Sequence, residues 1–395
     1  NVDFDYSKST ASDGDDFDFW YYNGPVTIPK LGTGANIYII AYADGLLEGP
    51  TPETIVLDVT SVDNVGAGRS YPYKGDTLKI KDGDYDSSMS MLITASPASI
   101  LEGTSSTVTV TLPNGLKAGS AMTIPVARGV SSKAIASDAT MSLSTLTIAK
   151  NKTNATLTVK AVKDSLLEND ESYYVVASPA GYIKDSCLIT IRDTTGLIAG
   201  NKVLNLTMNT PSLKEGNSSN LTLAFAKPGI MAGDSLAIVL TPDVTTVASP
   251  SDYYISAANT IYMPPNTNSK TVTNGFSALS DNILENTETF KLNASTTSVS
   301  GLAINSISGS ITDATGDNAA NRIVTITPGA TEMEEGSAYT YTFSLPAGIT
   351  TEVPITITPS ILAGSTADAS DFTLDSATIT LDATHPASNV TAINI

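Results

Sequence analysis

A line of acidic and apolar residues with the pattern Asp-x-x-Leu-Glu-x-x-Glu constrains the fold of this 395-residue chain more than any other feature. Two full copies occupy residues 164–171 and 281–288, and a looser copy occupies residues 44–48 with Glu53 beyond it. The glutamate after the leucine stands at positions 48, 168 and 285, which are 120 and 117 residues apart. This period fits one small β domain per copy rather than a short solenoid repeat. We therefore predict a tandem array of β domains.

Three further acidic markers recur in the same order and divide the chain into repeats. They are Glu102, Glu215 and Glu335 in a Glu-Gly pair, Asp16, Asp138, Asp252 and Asp371 before a β-type run, and Asp82, Asp193 and Asp313 after an apolar strand. We predict four modules, a name kept below for these segments: residues 1–88, 89–196, 203–315 and 322–395. The first module lacks its opening strands and the fourth lacks its last strands, so we expect a segment of a longer array.

Short runs that alternate polar and apolar residues indicate strands with one face in a core and one face in water. Examples are residues 106–112, 155–161, 220–225 and 339–345, separated by turn-forming steps such as Asn-Gly and Ala-Gly. No stretch has sustained helical periodicity. About seven strands per module predict an all-β fold of tandem immunoglobulin-like antiparallel β-sandwiches, and short linkers predict an elongated array.

The composition excludes several classes of function. Lys and Arg total 21 against 40 Asp and Glu, and the formal net charge of -19 disfavours nucleic acid and anionic membranes as partners. No run approaches the ~20 apolar residues of a membrane span, so we expect no membrane insertion in this segment. Cys187 is the only cysteine and lies in a strand pattern, which favours a small buried hydrophobic side chain over a disulfide.

Enzymatic activity has little support in the sequence. The only histidine, His385, stands next to Pro386, and Cys187 has no evident catalytic partner. Paired carboxylates could serve a glycosidase, but an active site is seldom repeated in every module of an array. We predict that the chain is not an enzyme.

The recurring acids are candidate metal ligands, because turns at one end of a sandwich would bring them together. Carboxylates gathered there repel one another unless a cation lies between them. Calcium prefers about 6 to 8 oxygen ligands, whereas zinc prefers His or Cys, so these residue types predict calcium. The predicted ligands are Glu102, Asp138, Asp164, Glu168, Glu171 and Asp193 in the second module, and Glu215, Asp252, Asp281, Glu285, Glu288 and Asp313 in the third. A second interpretation stays open, in which these residues only form turns and their carboxylates are solvated.

The acidic markers resemble those of the Calx-beta module of sodium/calcium exchangers and of many large bacterial adhesins. The likeness spans essentially the whole chain, as two complete and two partial Calx-beta-like modules. In that family the corresponding acids bind calcium at one end of the sandwich, and the resemblance implies this role for the residues above. This chain departs from calcium-rich members at the closing strand, where Thr194 follows Asp193 and Ala314 follows Asp313 instead of further Asp. The resemblance therefore implies one or two weakly bound ions, or none.

An aromatic cluster in the first module offers a second kind of site. Trp20, Tyr21 and Tyr22 form part of the run 17–24, and their functional interpretation is a stacking platform for sugars. The alternative is a hairpin whose alternate aromatic residues face the core. The sugar platform would make the chain a carbohydrate-binding surface protein.

Asp-Ser/Thr-aliphatic tripeptides resemble the O-glycosylation sequon of exported Bacteroidetes proteins. They predict glycosylation at Thr77, Ser235 and Ser376.

The repeats and the resemblance together imply a structural stalk segment of a long secreted repeat adhesin, similar to the gliding-motility adhesins of Bacteroidetes. Its calcium sites would stiffen the modules. We expect an extracellular location at the bacterial cell surface, associated with the outer membrane. Ligands on cells or on a substratum would be bound by other parts of the parent chain, and self-association into filaments stays open.

Overall fold

The computed structural model describes residues 2–20, 26–62, 74–332, 334, 336–367, 371–374, 376–385 and 387–394. Over these residues the chain forms β-strands and short 3-10 turns, with no α-helix. None of the described residues form a helix with the length and hydropathy needed to cross a membrane. The chain divides into two compact units, residues 1–164 with 170–194 and residues 165–169 with 195–395. The predicted all-β class is therefore confirmed.

The first module forms two small antiparallel sheets. Its strands are β1 (Val2–Asp5), β2 (Phe17–Trp20), β3 (Tyr38–Ala41), β4 (Leu46–Leu47), β5 (Glu53–Val62) and β6 (Asp76–Ile80). The sheet orders are β1-β5-β6 and β2-β3. Phe17 and Ile55 are fully buried between them.

The second module is a two-sheet sandwich. Its strands are β7 (Leu92–Ser96), β8 (Ser99–Leu101), β9 (Ser105–Thr111), β10 (Lys117–Ala118), β11 (Met122–Arg128), β12 (Ala139–Met141), β13 (Thr145–Ile148), β14 (Asn154–Ala161), β15 (Leu166–Leu167), β16 (Glu171–Ala177) and β17 (Asp185–Arg192). One sheet has the order β13-β11-β16-β17-β8, and the other has the order β12-β14-β9-β7. A single buried cluster contains residues of both sheets.

The third module repeats this architecture. Its strands are β18 (Val203–Met208), β19 (Ser212–Lys214), β20 (Ser218–Phe225), β21 (Met231–Ala232), β22 (Leu236–Pro242), β23 (Tyr253–Ile255), β24 (Thr260–Met263), β25 (Ser269–Ala278), β26 (Ile283–Leu284), β27 (Glu288–Ser295), β28 (Ala303–Ile304) and β29 (Ile307–Thr312). The sheet orders are β23-β25-β20-β18-β28 and β19-β29-β27-β22-β24. Both sheets bury their inner faces in one core.

The fourth module has two smaller sheets. Its strands are β30 (Thr325–Pro328), β31 (Ala338–Ser344), β32 (Thr350–Thr351), β33 (Ile355–Ile357), β34 (Phe372–Leu374), β35 (Ile379–Leu381) and β36 (Ala387–Asn394). The orders are β30-β31-β36-β34 and β33-β35. The 3-10 turns of the chain are Pro113–Gly115, Ala199–Asn201, Ala257–Asn259, Thr315–Asp317 and Ala319–Arg322.

Alternation of side chains explains why these runs are strands. In β9, Val108 and Val110 are fully buried, while the threonines between and beside them face outward. Val108 pairs with Leu157 of β14, and both belong to the core of the second module. Burying such a side chain contributes roughly 1.5 to 3 kcal/mol, and a one-residue slip would turn it to water. The sequence pattern therefore fixes the register of each sheet.

Aromatic stacking adds to the core of the third module. The ring centroids of Phe276 and Phe290 are 4.3 Å apart, and those of Phe276 and Tyr253 are 5.3 Å apart. Both pairs are stacked, and such pairs contribute about 0.5 to 1.5 kcal/mol beyond their buried area. Tyr253 directly follows Asp252, so this packing also positions the loop that carries a predicted ligand.

Candidate metal sites

The acidic residues of the third module form two overlapping groups of carboxylates. Oxygens of Asp252, Glu285 and Glu288 all lie within 4.8 Å of one another. Oxygens of Glu215, Asp281 and Glu285 do so as well, and Glu285 therefore belongs to both groups. Five of the six ligands predicted for this module are thus brought together. We call these five residues the third-module cluster.

Two turns hold the third-module cluster, and they follow the neighbouring parallel strands β19 and β29. Gly216 has a φ of 79°, the left-handed conformation that favours glycine, which explains the Glu-Gly pair. Beside it, Glu215 accepts a hydrogen bond at Oε2 from the N–H of Ala314 (3.1 Å). Asp313, the sixth predicted ligand, accepts one at Oδ2 from the N–H of Glu285 (3.2 Å). The closing Asp313 therefore fixes the backbone of the Asp-x-x-Leu-Glu-x-x-Glu segment, which is called the Leu-Glu line below.

Two members of the cluster also form turns of their own loops. Asp281 accepts at Oδ1 from the N–H of Ile283 (2.8 Å), two residues further along. The carboxylate of Asp252 accepts from the N–H of Ser249. The turn-forming interpretation thus describes part of what these acids do. It gives no account of the carboxylates of Glu285 and Glu288, which lie within 4.8 Å of that of Asp252.

Burial and mutual repulsion raise the pKa values of the glutamates. Burial is the larger cause for Glu285, followed by the charge of Asp281, and together with smaller contributions they raise its pKa to about 8. Burial, and then a hydrogen bond with Asp252, raise the pKa of Glu288 to about 8. Burial also raises the pKa of Glu215. Negative charge is therefore costly in this cluster near neutral pH.

One buried carboxylate oxygen of the cluster receives no hydrogen bond from the described residues. Glu288 is 7% exposed, and its Oε2 is buried without a hydrogen bond among the described residues. The ion pairs that lysines of the third module form with described residues, Lys214 with Asp317 and Lys291 with Asp243, do not include this cluster. A buried polar atom without a partner costs about 1 to 3 kcal/mol, and a cation would satisfy it. The oxygen-only donor set fits a hard cation such as calcium.

The first module carries a similar cluster that the sequence analysis did not name as a metal site. Oxygens of Asp16, Asp44 and Glu48 all lie within 4.8 Å of one another. Asp82 accepts at Oδ2 from the N–H of Glu48 (2.9 Å), as Asp313 does for Glu285. Burial, and then the charge of Asp82, raise the pKa of Glu48 to about 7. Three of the recurring acidic markers, Asp16, the Asp44–Glu48 line and Asp82, were the signal that could have identified it.

The predicted ligands of the second module occupy corresponding strands and turns. Glu102 is buried, and its Oε2 accepts from the N–H (3.2 Å) and the hydroxyl (2.8 Å) of Thr194. Burial raises the pKa of Glu102. Asp138 accepts from the N–H of Ile135 (2.6 Å) and so shapes its own loop.

The other four predicted ligands of this module differ in their surroundings. Asp193 is buried, Asp164 is half-buried, and Glu171 is half-buried at the start of β16. Glu168 is grouped with the second unit, whereas the other five belong to the first. A metal role for these six residues stays a prediction.

The aromatic residues of the first module support the hairpin for the part that is described. Phe17 is fully buried, Phe19 packs against the same core, and β2 pairs antiparallel with β3. The rings of Phe17 and Phe19 pack edge to face, with their centroids 5.5 Å apart. Tyr21, Tyr22 and the side chain of Trp20 lie outside the described residues. The sugar platform therefore stays a prediction.

The three predicted glycosylation sites differ in exposure. Thr77 and Ser235 are exposed. Ser376 is half-buried, and its hydroxyl donates to the carbonyl of Thr378 (2.6 Å). Modification of any of them stays a prediction.

The two residues considered for catalysis have ordinary surroundings. Burial raises the pKa of Cys187 to about 11, so its thiol stays protonated at neutral pH. His385 is exposed, and its Nδ1 lies 3.2 Å from Asp382 in a local turn. Neither geometry activates a nucleophile.

No protein-family model and no curated protein matches the sequence. Solved structures with similar segments include the calcium-binding domain CBD12 of CALX1.1, at 12% identity and a TM-score of 0.24, over 52% of this chain and 79% of that one. The adhesin InvE of Yersinia pseudotuberculosis has 15% identity and a TM-score of 0.33, over 64% of this chain and 67% of that one. The Escherichia coli adhesin FdeC has 11% identity and a TM-score of 0.27, over 77% of this chain and 88% of that one. These TM-scores are below 0.5, so the likeness assigns no function to this chain.

Proposed function

We propose that this chain is a structural segment of an extracellular repeat protein whose β-sandwich modules are stabilised by bound calcium. The observation that carries the proposal is the unpartnered, buried Oε2 of Glu288 in a cluster made only of carboxylates. Where Glu288 is ionised, a fold without a cation would gain stability from a neutral side chain at this position. Retaining the acid is understandable if a cation occupies the cluster.

The third-module cluster offers two groups of ligands for one or two ions. Asp252, Glu285 and Glu288 would hold one ion, and Glu215 with Asp281 would complete a second group around Glu285. The bound ion would supply positive charge that removes the repulsion between these carboxylates. Extracellular calcium modules bind at ~0.1 to 1 mM, so ~1 mM calcium would stabilise an occupied site by roughly 0.4 to 1.4 kcal/mol.

The affinity range of extracellular calcium modules suits an extracellular role for this chain. Calcium near 1 mM is available outside cells, and a site in this range would be filled there. The hydroxyl-rich strands and the net charge of -19 agree with a solvated surface structure. We therefore propose a stalk role at a bacterial cell surface, in an adhesin-like protein and with ligands bound elsewhere in the parent chain. Antibody labelling of intact cells would test the location.

Terbium luminescence tests the cation site directly. Tb3+ replaces calcium at oxygen sites, and Tyr253, adjacent to Asp252, would sensitise its emission. We expect sensitised emission that calcium displaces at ~0.1 to 1 mM. Glu285→Gln with Glu288→Gln should remove the part of the signal that comes from the third module. Asp317→Asn is the matched control, because Asp317 is an exposed acid that pairs with Lys214 outside the cluster. Identical titrations of the double variant and the unaltered chain would contradict the proposal.

A further inference from the structure

Each copy of the Leu-Glu line contains a two-residue strand that pairs in parallel with a strand further along the chain. β4 pairs with β10, β15 with β21 and β26 with β32. Each pairing lies within one of the two compact units. The two large sheets of the second module do not include β15, and those of the third module do not include β26. Each short strand therefore pairs with a strand that follows it in the sequence and not with the large sheets of its own module.

Backbone hydrogen bonds repeat in the three pairings. The carbonyl of Leu47 accepts from the N–H of Gly119 (3.1 Å), and the carbonyl of Leu284 accepts from the N–H of Glu352 (3.1 Å). The carbonyl of Leu167 accepts in the same way from Gly233 (3.0 Å). Addition of an extended segment to an exposed strand is a general mode of recognition.

The second residue of each short strand enters a core that belongs to the later strands. Leu47 is fully buried in the core of the second module, with Met91 and Ile124, and is not part of the core formed by Phe17 and Ile55. Leu284 likewise packs with residues of the fourth module and is absent from the core of the third. Leu167 is fully buried in the core that contains Leu204 and Leu236. The neighbouring residues Leu46, Leu166 and Ile283 are only half-buried.

Small residues make room for these leucines and for the glutamates after them. Ala118 and Ala232, which pair with Leu47 and Leu167, are fully buried. A Cβ atom on Gly119 would collide with the side chain of Glu48, and one on Gly233 would collide with that of Glu168. The receiving surface is thus shaped for a Leu-Glu segment.

We propose that the leucine of each Leu-Glu line completes the core of the later module. The later module provides the surface on which this leucine docks. The surface around Ala118 takes Leu47 of the first module, and the surface around Thr351 takes Leu284 of the third. The docked leucines themselves contact apolar side chains, such as Met91 for Leu47 and Leu345 for Leu284. Stability is then coupled along the chain, because a later module is complete only when the earlier segment docks.

Hydrogen exchange followed by mass spectrometry on the full chain tests this coupling. Leu47→Ala should accelerate exchange in β9 and β11 of the second module by about tenfold or more, since it opens a cavity in their core. Exchange in β5, which belongs to the same module as Leu47, should change by less than about twofold. Leu46→Ala, at the half-buried neighbouring position, should leave β9 and β11 unchanged.

A second pair of variants keeps the test decisive. Leu284→Ala should accelerate exchange in β31 and β35 of the fourth module more than in β20 and β27 of the third, with Ile283→Ala as its control. If Leu47→Ala unfolds the whole first unit, Leu47→Val should still accelerate exchange in β9 and β11 more than in β5, by a smaller factor. Faster exchange confined to β5, or unchanged exchange in β9 and β11, would overturn the proposal.

Discussion

At the scale of single residues, Glu288 distinguishes the two interpretations of the recurring acids. Asp281 and Asp252 form turns through backbone hydrogen bonds, and these contacts need no metal. The Oε2 of Glu288 is buried and receives no hydrogen bond from a described donor. Its sequence position indicated a ligand, but not that its oxygen would be unpartnered, because that depends on how the distant Asp252 loop packs. The sequence thus predicted the type of residue at this position but not the hydrogen bonding of its carboxylate.

The raised pKa values predict how stability depends on pH in a chelator. The folded pKa values of Glu285 and Glu288 are about 8 against an ordinary value of 4.5, so the folded state binds protons more tightly than the unfolded chain. This contribution to stability is complete below about pH 4.5 and is lost as the pH rises to about 8. We expect the Tm to fall between pH 5 and pH 8 in EDTA, as measured by scanning calorimetry.

Glu285→Gln with Glu288→Gln is the control for this pH profile. The double variant removes these two groups, and its Tm should change less over the same range, while Glu48, with a pKa of about 7, still titrates. Asp243 does not interfere, because hydrogen bonds with Asn293 and Thr245 lower its pKa below 3.8, outside the window. A Tm that stays constant or rises from pH 5 to pH 8 would contradict the buried-carboxylate account.

At the scale of elements, the Leu-Glu line serves two purposes within five residues. Its glutamate joins a carboxylate cluster, and its leucine enters the core of later strands. The sequence predicted the acidic turn because the pattern recurs with the period of the modules. It did not predict where the leucine goes, because a two-residue strand is too short for alternation to indicate a face. For the same reason, the sequence did not predict that Gly119 and Gly233 leave room for the side chains of Glu48 and Glu168.

Gly119→Ala tests the packing of this element. The new Cβ would displace Glu48 and disturb the pairing of β4 with β10, so we expect unfolding stability to fall by about 1 to 3 kcal/mol. Chemical denaturation would measure the change. Gly83→Ala is the matched control, since no atom lies within 4 Å of the added Cβ and Gly83 lacks a positive φ. Equal stability of the two variants would show that the close approach of Glu48 is not required.

At the scale of the whole molecule, the period of the acidic markers predicted tandem sandwiches, and the sheets of residues 89–196 and 203–315 confirm that fold class. The prediction succeeded because each module must bury its own alternating strands, which leaves a repeated pattern in the sequence. The exact module boundaries stay a prediction, since contacts divide the chain into two units rather than four. The placement of residues 165–169 with the later strands has no sequence signature.

The central claim is that a cation stabilises the modules through their carboxylate clusters. Scanning calorimetry of the full chain at pH 8, in 1 mM calcium and in EDTA, tests it most directly, because the glutamates of the third-module cluster carry the most charge there. The account predicts a higher Tm in calcium, a smaller difference at pH 5, and loss of the gain from the third module in Glu285→Gln with Glu288→Gln. Superimposable calorimetric curves in calcium and EDTA at pH 8 would contradict it, and the acids would then act only as turn formers.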